Sequence, residues 1–138
     1  MKKVIIGRDE MVGFPDLGIN ALEGRVDTGA RTSPMHAANV EVFEKEGERW
    51  VRFDFEAYKG LEAKLWREKF VRSSNGKRQS RCFIKTRIQF GNGKRYLVKV
   101  SLTDRSKMKF PVLLGRRLLA GRFLVDVSKR FELSVDDE

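Results

Sequence analysis

The chain has a single cysteine, Cys82, and a single histidine, His36, among 138 residues. One thiol cannot form an internal disulfide, so nothing here calls for an oxidising compartment. There is no H-E-x-x-H and no cysteine pair, so the sequence offers no zinc ligand set. A Cys–His nucleophilic pair would require Cys82 to meet His36. Cys82 stands instead in an alternating run between Arg81 and Phe83, the setting of a small buried residue. G-x-S-x-G is missing too, and a serine triad would have to take its base from His36. The string "GNGKR" (91–95) lacks the spacing G-x-x-x-x-G-K-[ST] and follows a hairpin pattern, so no nucleotide cofactor is expected. Long apolar runs are also missing. The opening "MKKVIIGRDE" has only Val4, Ile5 and Ile6 before Gly7 and Arg8, too few for a signal peptide, and no stretch approaches the ~20 apolar residues of a membrane span. The expectation is a soluble cytoplasmic protein with no membrane partner.

Acidic residues are scarce relative to basic ones. Against 29 Lys and Arg stand 19 Asp and Glu, a net charge of +10. Such a field favours anionic partners and also keeps a protein in solution. The excess concentrates in "KLWREKFVRSSNGKRQSRCFIKTR" (64–87), which predicts a one-sided basic patch.

What is present is mostly strand. "WVRFDF" (50–55) alternates Val51, Phe53 and Phe55 with Arg52 and Asp54. "IKTRIQF" (84–90) places Ile84, Thr86, Ile88 and Phe90 on one face. "YLVKVSL" (96–102) does the same with Tyr96, Val98, Val100 and Leu102. Period-two alternation of this length predicts half-buried antiparallel strands. "EKEGE" (44–48), "SNGK" (74–77) and "GNGK" (91–94) carry hairpin chemistry. One short helix is predicted in "GRRLLAG" (115–121), after the apolar strand "FPVLL" and before a further strand in "GRFLVDV". Residues 56–66 fit a helical turn or an irregular loop, and "SVDDE" fits a frayed tail. Residues 1–138 read as one domain.

One motif carries chemistry. In "VDTGARTSPMHA" (26–37) an aspartate follows an apolar strand and precedes a Thr-Gly pair. An aspartic peptidase needs two carboxylates sharing one proton around a water. The ionised member draws a proton from the water while the protonated one polarises the carbonyl. Asp27 supplies a short carboxylate. The hydroxyl of Thr28 can lock a partner loop, Gly29 permits close backbone approach, and Ala30 leaves space. Asp-x-Gly is also ordinary turn vocabulary. Neither Asp104 nor Asp126 is followed by Thr/Ser-Gly, so each reads as a turn or strand-end residue. A dyad therefore requires Asp27 from two copies of the chain, a homodimer on a two-fold axis. His36 is expected to begin the next strand near this loop, either packed or steering a carboxylate.

The loop "VDTGA" and the closing segment "FPVLLGRRLLAGRFLVD" resemble those of retropepsin-like aspartic peptidases. Together with "GERWVRFDF" and "FVRSSNGKRQSR", in that order, they make nearly the whole chain similar to a bacterial family labelled ATP-dependent zinc proteases, associated with RimK-type glutamate ligases. The resemblance implies a mainly β, retropepsin-like closed antiparallel barrel with one short C-terminal helix. It implies catalytic roles for Asp27, Thr28 and Gly29, with Gly115 and Arg116 starting a helix beneath the loop. The zinc and ATP of that label find no ligand set or nucleotide loop here, so no metal or cofactor is expected. Viral retropepsins carry acidic residues after the motif, whereas Ala30 is followed here by Arg31 and Thr32. The flap-like stretch 73–81 is basic through Lys77, Arg78 and Arg81. A guanidinium prefers carboxylates, so these six residues are the expected substrate contacts, for an acidic, glutamate-rich peptide or protein. Two other readings follow from the residues: a non-catalytic acidic-peptide binding module on the same fold, and a nucleic-acid binder. For the last, charge is the only argument, since Phe70 and Phe83 in the basic stretch fit as core.

Overall fold

Val51, Phe53 and Phe55 are wholly buried, as their alternation predicts, and each apolar side chain removed from water contributes about 1.5–3 kcal/mol. The computed structural model describes residues 2–72, 76, 78–104 and 109–134. Among these described residues, twelve strands, a 3-10 turn and one short helix follow in order. They are β1 (Val4–Ile6), β2 (Asp9–Phe14), the turn Pro15–Leu17, β3 (Ile19–Val26), β4 (Ser33–His36), β5 (Ala38–Lys45), β6 (Glu48–Phe55) and β7 (Tyr58–Lys64). Then come β8 (Arg67–Arg72), β9 (Arg78–Phe90), β10 (Arg95–Thr103), β11 (Val112–Leu114), α1 (Arg116–Leu119) and β12 (Phe123–Val125).

Six strands close into a barrel in the order β10–β4–β11–β3–β2–β9, with β9 returning to β10 and β8 extending the sheet beyond β9. The closed barrel and, among the described residues, the single short helix are as expected. Its pairings correct one detail, because the barrel is not antiparallel throughout: β4 runs parallel to β10 and β3 parallel to β11. A hairpin cannot join such neighbours, so long connections do. The consequence is local: the parallel β3–β11 pair ends with Leu114 beside Val26, bringing the end of β3 and the start of α1 together.

Outside the barrel, β5, β6 and β7 form a three-stranded antiparallel sheet. The turn at Glu46–Gly47 has φ of 52° and 77°, the two left-handed residues of the favoured hairpin turn. Gly93, at φ 83°, turns β9 into β10. Most of the third expected turn, 74–77, lies outside the described residues, as do the tail residues 135–138. Residues 56–66 are neither helical nor irregular: most of them form β7. A register shift opposite Phe53–Phe55 and a left-handed Gly60 break the alternation there, while Tyr58, Leu61 and Ala63 still pack on the core. Strand β12 pairs in parallel with β1 and is fastened to the barrel by the rings of Phe90, Tyr96 and Phe123, whose centroids lie 5.4–5.8 Å apart.

Glu10 ties the last described segment down. Its buried carboxylate accepts from the amides of Gly7 at 2.8 Å, Glu132 at 3.0 Å and Leu133 at 2.9 Å. Cys82 is buried in β9, and burial pushes its thiol pKa up, away from a nucleophile's range.

Candidate active site

Asp27 continues the β3–β11 ladder, donating its amide to the Leu114 carbonyl at 2.9 Å. The chain then turns. Ala30 donates its amide to the Asp27 carbonyl at 3.1 Å, and the Gly29 amide donates to Asp27 Oδ1 at 3.0 Å. That last bond fixes the rotation of the carboxylate while leaving Oδ2 open. A Cβ on Gly29 would lie 3.2 Å from Oδ1, so the bare backbone is what lets the amide come so close. Asp27 is half-buried, and Thr28 and Gly29 are exposed, so the motif faces outward.

Helix α1 braces this loop from behind. The amide of Arg116 donates to the Ala30 carbonyl at 2.8 Å and that of Arg117 to the Arg31 carbonyl at 3.1 Å. The Arg116 side chain donates to the Thr28 carbonyl at 3.0 Å, and the Gly115 amide to Ser33 Oγ at 3.0 Å. A Cβ on Gly115 would lie 2.0 Å from the Thr32 carbonyl oxygen, so only glycine fits. Gly115 and Arg116 thus stand where the resemblance put them.

The expected substrate contacts divide. Ala30, Arg31 and Thr32 belong to the loop. Arg78 stacks on Phe70 at 4.7 Å, and Arg81 sits opposite Lys69 in the β8–β9 ladder. Lys77 lies outside the described residues. Phe83 is core, but Phe70 is 62 % exposed, a correction explained by its place on the outer side of an extended hairpin. His36 also departs from expectation: it ends β4 rather than starting a strand, its amide donating to the Pro111 carbonyl at 2.9 Å. Asp126 is a turn residue, accepting from the amide and hydroxyl of Ser128.

Sequence spacing missed the cations that join Arg31. Lys69 has its pKa pulled below the ordinary lysine value, first by Arg67, then by burial, then by Arg31, Arg117 and Lys99. Lys69, on β8, thus feels the charge of Arg31 on the loop and of Arg117 on α1. Beside it, Trp66 is ringed by Lys99 at 4.4 Å, Lys85 at 4.9 Å and Arg67 at 6.0 Å. Lys85 and Lys99 are direct cross-strand partners, a like-charge pairing that costs stability. Lys99 and Arg117 also edge a cavity of about 260 Å³ floored by Leu97, Val98 and Leu118. The signal available in the sequence was Trp66 itself, an aromatic within the basic stretch.

Among the described residues no group of three or more His, Cys, Asp or Glu side chains could hold a metal ion, and no helix is long and apolar enough to cross a membrane. Two curated relatives, each named a probable alpha-L-glutamate ligase, are similar to the chain. The one from Shewanella pealeana is 40 % identical over 94 % of this chain and 30 % of its own length. That from Desulfotalea psychrophila is 34 % identical over 90 % of this chain and 28 % of its own. The chain thus spans about three-tenths of the length of these relatives. A crystal structure of a Legionella pneumophila protein of unknown function superposes with a TM-score of 0.78 at 26 % identity, covering 96 % of this chain and all of that one. Residues 5–134 match the RimB-like family, described as retropepsin-like aspartic endopeptidase RimB, and to that family the chain belongs.

Proposed function

We propose that the protein is a homodimeric aspartic endopeptidase in which Asp27 of two copies shares one proton, and that it cuts acidic, glutamate-rich peptides. The observation that carries this reading is the loop itself: one outward-facing carboxylate, oriented by the Gly29 amide and braced by the amides of α1. With two such loops on a two-fold axis, the carboxylates would be too close for both to ionise, so one holds the proton. The ionised Asp27 removes a proton from a bound water, and the oxygen adds to the scissile carbonyl carbon. The protonated Asp27 gives its proton to the carbonyl oxygen. Collapse of the tetrahedral diol breaks the C–N bond as the nitrogen takes a proton back from the dyad. Thr28, exposed on the loop, would bond across to the partner's loop. Asp27, Thr28 and Gly29 are thus the proposed catalytic set.

The acidic substrate is supported by the cations around Arg31, by the net charge, and by the glutamate chemistry in the relatives' names. Ala30 and Thr32 would flank the peptide backbone, with Arg31 and the basic hairpin holding its carboxylates. A second reading, an acidic-peptide binding module without catalysis, is favoured by one observation: the cluster around Lys69 does not involve Asp27. The two part in one experiment, in which wild type and Asp27→Asn act on a glutamate-enriched peptide library from pH 4 to 8 with mass-spectrometric readout. Cuts lost in the variant establish the peptidase. Binding without cuts, in a preparation shown to be dimeric, leaves the module.

A further inference from the structure

Three arginines converge on one carboxylate at the start of β2, that of Asp9, whose partner in the β2–β3 ladder is Arg25. Asp9, with its side chain 1 % exposed, accepts from Nε of Arg8 at 3.2 Å, Nε of Arg25 at 2.5 Å and Nε of Arg130 at 2.9 Å. Arg130 uses an outer nitrogen on Glu23 at 2.8 Å. Among the described residues, the outer nitrogens of Arg8 and Arg25 have no acceptor, and these side chains are 48 % and 36 % exposed. Each guanidinium is therefore held by its inner edge while its end-on fork, the edge that grips a carboxylate bidentately, faces away from Asp9.

Both forks are placed by the fold relative to Asp27. Arg25 lies two residues before it, hence on the same face and roughly 6.5 Å along the chain. Arg8 is on the neighbouring strand connection, where its carbonyl accepts the Val26 amide at 2.8 Å. Arg25 is further immobilised by stacking on Phe110, its guanidinium carbon 4.2 Å from the ring centroid. Asp9 balances one of the two charges that Arg8 and Arg25 bring, and Glu23 is engaged by Arg130. An added carboxylate would meet two preset forks without having to order them, which removes much of the entropic cost of a charged contact.

We infer that Arg8 and Arg25, oriented by Asp9 and Phe110, form a clamp for a carboxylate side chain of the bound peptide next to Asp27. This rests on the reading of Asp27 as the site of peptide binding, and it assigns the acid preference to residues outside the basic stretch. Arg8 and Arg25 would be specificity residues, whereas Asp9 is a positioning residue acting through them.

The test is binding, which needs no turnover. Asp27→Asn protein, alone and with Arg8→Gln or Arg25→Lys added, is titrated with a short glutamate peptide and its glutamine counterpart, both amidated at the C-terminus. Arg8→Gln leaves two guanidiniums on Asp9, and Arg25→Lys keeps the charge while removing the fork; thermal melts establish that each is folded. The expected result is a preference for glutamate over glutamine in the parent, reduced about tenfold or more by either substitution, with glutamine-peptide affinity unchanged. An undiminished preference in both folded variants overturns the clamp. So does a parent that does not distinguish the two peptides. Neither outcome bears on cleavage by wild type, which decides the peptidase reading separately.

Discussion

The molecule carries its excess positive charge in two ways. Around Asp9 a buried carboxylate organises three guanidiniums, each held by the same inner nitrogen. Around Lys69 and Trp66 the cations crowd one another: Lys99 faces Lys85 across the ladder, and Arg31, Arg67 and Arg117 press on Lys69. The first region fixes positions, the second makes a field. Fixed groups select a ligand by geometry, whereas a field steers it in and is screened by salt. The contrast implies that affinity for acid and preference among acids reside on different strands.

The sharpest way to break the comparison is to remove the organiser. Asp9→Asn leaves three arginines without their shared anion and should cost about 3 kcal/mol, the low end for breaking a buried pair because its partners are half exposed. Urea denaturation measures it. Burial raises the Asp9 pKa, but hydrogen bonds and charge from Arg25, then Arg130 and Arg8, outweigh that and hold it below the ordinary aspartate value. Its contribution is thus complete above the unfolded pKa, about 3.9, and lost as pH falls through the lower folded value. Wild type should lose more stability than the variant on acidification below about pH 4.

Next in size is Gly115→Ala. The added Cβ cannot share space with the Thr32 carbonyl, so loop or helix must shift, at about 1–3 kcal/mol. Cleavage should fall further than stability does, because Asp27 moves with the loop; melts and turnover on one preparation compare the two.

The field is probed by Lys85→Glu. Opposite Lys99 it replaces repulsion with an ion pair and should stabilise the fold by about 0.2–1 kcal/mol, while weakening acidic-peptide binding a few-fold. A variant that melts higher and binds worse would show that the repulsion is retained for a ligand. The smallest effect is salt: raising it from about 0.05 to about 0.5 M should slow association of an acidic peptide, with little change in its dissociation from the clamp. Stopped-flow binding separates the two rates.

How far these regions could be read from sequence follows from how local each is. The alternation of β6, β9 and β10 was legible because each strand has one face on the core. Strand β7 was not, since Gly60 and the facing register shift interrupt its period. Asp27 could be found because its chemistry sits in consecutive residues, and Gly115–Arg116 because they follow an apolar strand. Lys69, Lys99 and Arg117 come from β8, β10 and α1, distant in sequence, and share one field only in the folded chain. Arg8 and Arg25 meet only through the β2–β3 register, which pairs Asp9 with Arg25. Phe70 misled because an aromatic in an alternating run reads as core unless the strand's partner is known.

The bracing of the loop by α1 has a practical consequence. The amides of Arg116 and Arg117 are bonded to the carbonyls of Ala30 and Arg31, so they stay shielded from solvent only while the aspartate loop keeps its shape. Deuterium uptake at those two amides is therefore a gauge of loop order that requires no substrate. Read against protein concentration, it would report whether the loop is already set in a lone chain or sets when a second copy arrives.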